Sequence, residues 1–127
     1  MKPLAASLFM LLFAAGPAWA GGGRATVESI EILIAASFPV QVFAVLRGYL
    51  GDGCTKIAGI TARGPLANRF HIEITTERPA GALCTLALVP FEHNVPLAVH
   101  GLPKGDYEAV ASGVSASFTL RRDNKLQ

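Results

Sequence analysis

Apolar and polar side chains alternate along most of the chain after residue 26, the period of two that belongs to strands with one buried face. Ile30, Ile32 and Ile34 set the first run and predict strand A over residues 27–35, ended before Pro39, which has no N–H for a ladder. Residues 40–50 hold a nearly continuous apolar run, Val40, Val42, Phe43, Val45, Leu46 and Leu50, and predict a central strand B covered on both faces. Gly51-Asp52-Gly53 then turns the chain. Strand C is expected over 54–62, with a turn at Arg63-Gly64-Pro65. Strand D alternates most cleanly, with Phe70, Ile72 and Ile74 on one side and His71, Glu73 and Thr75 on the other.

After Arg78-Pro79-Ala80-Gly81 the pattern breaks. Leu83, Leu86 and Leu88 fit neither period, so residues 82–91 are expected to be irregular and partly extended. Strand E resumes with Val95, Leu97 and Val99 inward and His100 outward, strand F runs from Tyr107 to Ala111, and strand G carries Val114, Ala116, Phe118 and Leu120 inward. Seven or eight strands with turn signals about every 8–12 residues, and no helical stretch, predict an all-β antiparallel sandwich. It spans 27–121, between a glycine-rich leader at 21–26 and a polar, frayed tail at 122–127.

The run Gly101-Leu102-Pro103-Lys104-Gly105-Asp106-Tyr107 and the closing Phe118-Thr119-Leu120 resemble the last third of secreted bacterial immunoglobulin-like domains. The resemblance implies a tyrosine corner, with the Tyr107 hydroxyl bonded to nearby backbone at the start of strand F. The antibody-type signature is missing, because Trp19 is the sole tryptophan and lies in the leading segment, and Cys54 and Cys84 do not fall on strands B and F. A resemblance of this kind implies a fold and carries no activity with it.

Residues 1–20 read as a cleaved signal peptide: Lys2, the apolar run 4–15, the breakers Gly16 and Pro17, and the small-x-small site Ala18-Trp19-Ala20. As a helix the run rises about 18 Å, short of a bilayer core of about 30 Å, so no membrane insertion is expected after cleavage. The expected location is secreted or periplasmic. In such a compartment Cys54 and Cys84 are expected to pair, and the spacing offers no Cys-x-x-Cys redox motif and no four-ligand zinc set.

Composition narrows the function classes further. The 127 residues carry a formal net charge of +2, with cations interleaved among acids, and no basic stripe suited to nucleic acid. His71, His93 and His100 invite a metal reading but lack short-range spacing. Ser29, Ser37, Ser112, Ser115 and Ser117 lie outside any nucleophile elbow, and Glu31, Glu73 and Glu92 read as solvated charges. The expectation is a non-enzymatic binding or structural module without a cofactor, its partner another envelope or secreted protein. The alternative is a small secreted hydrolase or a metal-handling protein using the histidines. The expected contact pole gathers Gly51-Asp52-Gly53, residues 79–94 and Ser112-Gly113, with Phe91 and Glu92 as the candidate binding residues.

Overall fold

The alternation is realised as seven strands, described over residues 23–126 in a computed structural model. They are β1 (Ala25–Ile34), β2 (Val42–Leu50), β3 (Lys56–Leu66), β4 (Arg69–Glu77), β5 (Val89–Leu97), β6 (Gly105–Ala111) and β7 (Val114–Leu120). The expected signal peptide lies outside the described residues. One sheet has the order β1-β2-β5 and the other β3-β4-β6-β7. Their inner faces meet in a core of Val42, Ala44, Leu46, Phe70, Ile72, Val95, Leu97, Tyr107, Ala109 and Phe118, the positions that the alternation turns inward. Phe70, Tyr107 and Phe118 form its aromatic centre, with ring centroids 5.7 to 6.3 Å apart. The Tyr107 hydroxyl donates to the Pro103 carbonyl at 2.7 Å, the bond a tyrosine corner requires.

The chain runs up and down between two poles, so every connection lies at one or the other. At the first lie Gly23 and the start of β1, the β2–β3 turn, residues 78–88 and the Ser112-Gly113 turn. The antiparallel expectation holds for every pair except one. β4 and β6 pair in parallel, Arg69 to His71 against Glu108 to Val110. Strands of even number point the same way, and here β4, not β3, takes the place beside β6, which leaves β3 at the sheet edge.

Three boundaries also move. Arg63-Gly64-Pro65 is not a turn but a bulge inside β3, with Gly64 at φ 123°, where a Cβ would meet the Arg69 carbonyl oxygen. The turn comes later, at Ala67-Asn68, both with positive φ, as a two-residue hairpin demands. β5 begins at Val89, so Phe91 and His93 belong to a strand, and it ends at Leu97, which leaves His100 in a turn. Pro90 and Pro96 both face the free edge of β5, which pairs only with β2 and needs no donor there. Finally, the tail is anchored through Asn124, which is 1% exposed. Its Oδ1 accepts the Val40 N–H at 2.7 Å, and its Nδ2 donates to the Val40 and Val99 carbonyls at 3.0 Å.

Candidate functional site

The first pole is organised by one carboxylate. Asp52 Oδ1 accepts the N–H groups of Cys54 (2.9 Å) and Thr55 (2.8 Å) and the Thr55 hydroxyl (2.9 Å), which shapes the turn from β2 into β3. Its other oxygen, Oδ2, accepts Arg78 Nε at 2.9 Å, where the chain leaves β4. Partial burial pushes the Asp52 carboxyl up, but the bonds from Cys54, Thr55 and Arg78 outweigh it and hold the group below its ordinary value of 3.8. The turn and the segment 78–88 are therefore fastened together by an ion pair.

Two further ties hold the same segment. Cys54 and Cys84 form the expected disulfide, their Cα atoms 5.5 Å apart, and the Gly53 N–H donates to the Thr85 carbonyl at 3.0 Å. What these ties present is apolar. Leu83 is 102% exposed, Leu86 89% and Leu88 60%, and residues 79–91 contain no charged side chain. Leucines at that exposure, each losing about 1.5–3 kcal/mol relative to burial, are unusual on a segment fixed at three points.

The residues singled out from sequence fall elsewhere. Phe91 is half-buried, packed against the core at the position opposite Gly48, and forms no apolar tip. Glu92 lies on the outer face of the first sheet, where Arg47 bridges it (3.1 Å) and Glu31 (2.6 Å). His71 is on β4 in the second sheet, His93 on β5 in the first, and His100 in the turn after β5, so the three do not converge. Among the described residues, the one group of three potential metal ligands is Asp52, Cys54 and Cys84, whose sulfurs are bonded to each other and whose carboxylate is occupied. The pole was legible from the turn residues and the cysteines, but the exposed leucines were not. Their only signal was the lost period.

A profile of the ORF11 beta-sandwich domain matches residues 44–120, from within β2 to the end of β7. The chain belongs to this family. The ORF11 match includes the disulfide and the whole 78–88 segment. The chain is 33% identical over 95 residues to a 10.2 kDa protein in the HgiCIIM 5′ region of Herpetosiphon aurantiacus, covering 74% of this chain and 98% of that relative. A second 10.2 kDa protein of that organism, in the HgiBIM 5′ region, is 34% identical over 86 residues, covering 66% of this chain and all of the relative. No solved structure matches the chain.

Proposed function

We propose that the protein is an exported, non-enzymatic binding module that meets its partner through the segment 78–88. The observation that carries this reading is the pairing of full exposure at Leu83 and Leu86 with three-point anchoring of the same segment. A held loop loses little conformational freedom on docking, so the apolar area it buries is retained as affinity. Export is supported by the signal-like sequence at 1–20 and by the disulfide. Kinship with immunoglobulin-like sandwiches is supported by the Tyr107 corner and by the β1-β2-β5 sheet, while the parallel β4–β6 pair departs from that topology. The contact residues are Leu83, Leu86 and Leu88 in place of Phe91 and Glu92.

Photo-crosslinking in the native host tests the reading. A photoreactive residue at position 86 is expected to give a discrete adduct, and one at position 73 on the outer face of β4 none. Equal labelling from both positions, or from neither, contradicts it.

A further inference from the structure

We infer that the partner of the 78–88 segment is a second copy of this chain, added strand to strand about a two-fold axis; the inference rests on that segment being the contact surface. Among the described residues, none of the six backbone N–H groups from Leu83 to Leu88 donates a hydrogen bond. Residues 82–88 follow the turn at Ala80-Gly81, belong to no strand ladder and run on into the free edge of β5. Such an edge is a template for an added strand. A lipid surface fits less well, because unpaired backbone is costly in hydrocarbon.

The window for pairing is bounded. Pro79 stands at one end and Pro90 at the other, and Pro96 interrupts the same edge further along β5. Within these limits the groups that face outward set the register. The Thr85 carbonyl is already taken by Gly53, so the alternate residues, Cys84, Leu86 and Leu88, turn their N–H and C=O groups outward. An antiparallel pair centred on Leu86 joins those outward groups, Leu86 to Leu86 and Cys84 to Leu88 of the other copy. It also sets apolar residues on apolar residues across the axis: Leu83 on Val89, Leu86 on Leu86 and Leu88 on Cys84.

Charge agrees with this arrangement. In a two-fold contact the same patch meets itself, so a charge near the axis faces its own like. Residues 79–91 carry none. The first charged residues beyond the run, Arg78 and Glu92, lie outside the pairing window and are already paired within the chain, with Asp52 and Arg47.

Sedimentation velocity on the purified, oxidised protein, with amide exchange at low and high concentration, tests the inference. The expected result is a reversible dimer in which the Leu86 and Leu88 amides gain protection and the Thr85 amide does not. Leu86→Arg is expected to weaken association at least tenfold while leaving the unfolding midpoint and the disulfide unchanged, because Leu86 is 89% exposed. A dimer whose Leu86 and Leu88 amides stay unprotected overturns the strand pairing. A protein monomeric up to about 1 mM overturns the self-association. If position 86 still cross-links to a different protein in the host, the contact surface stands and only its occupant is wrong; if it cross-links to nothing, both readings fall.

Discussion

Two polar side chains do work out of proportion to their number. Asn124, four residues beyond the end of β7, closes the second pole, tying residue 40 to residue 99 through a single amide. Replacing it with Ala leaves buried backbone groups at both places without partners. Asn124→Ala is expected to lower stability by about 2–4 kcal/mol in urea unfolding, a loss that Asn124→Leu does not restore. Asp52 acts at the other pole through its charge. Its carboxyl is held below 3.8 in the fold, so its contribution is present above the unfolded value and is lost as pH falls through the folded one. The stability gap between the native protein and Asp52→Asn should therefore be widest near neutrality and narrow on acidification through the carboxylate range. A gap independent of pH would mean that the carboxylate charge is not what fastens Arg78.

At the scale of elements, the disulfide is the strongest constraint on the irregular segment. Cys54 and Cys84 are 30 residues apart, and a loop of that size gives about 3.5–4 kcal/mol by the chain-entropy relation. Cys54→Ser with Cys84→Ser should cost that much in denaturant unfolding, with the β-sheet circular dichroism retained below the transition. Sequence alone located the strands whose alternation is driven by one buried face, such as β4 and β7, because burial and period then say the same thing. It failed where local chemistry and tertiary placement disagree. Residues 82–91 lack a clear period, yet β5 begins at Val89, and its Pro90 is tolerated because it lies on a free edge. The bulge at Gly64 likewise has a turn's composition inside a strand. Strand order was the least legible property, because alternation fixes which face is buried and says nothing about which neighbour lies alongside. The parallel contact of β4 with β6 has no trace in either strand's sequence.

For the whole molecule, the two poles differ in kind. The second is sealed by Asn124, and its groove between Ile34, Phe38 and Leu120 is partly covered by Arg122, whose guanidinium carbon stands 3.6 Å from the Phe38 ring centroid. The first is fastened just as firmly but leaves its leucines in water. An ion pair and a disulfide hold this apolar segment outward, the arrangement on which the proposed contact surface rests. The most direct test is the cross-linking yield from position 86 in the host, compared between the native protein and its Cys54→Ser, Cys84→Ser form at matched abundance. A held contact surface predicts a yield reduced severalfold without the bridge, since the loop must then be ordered on docking. An unchanged yield would contradict the claim that the anchored segment is what the partner recognises.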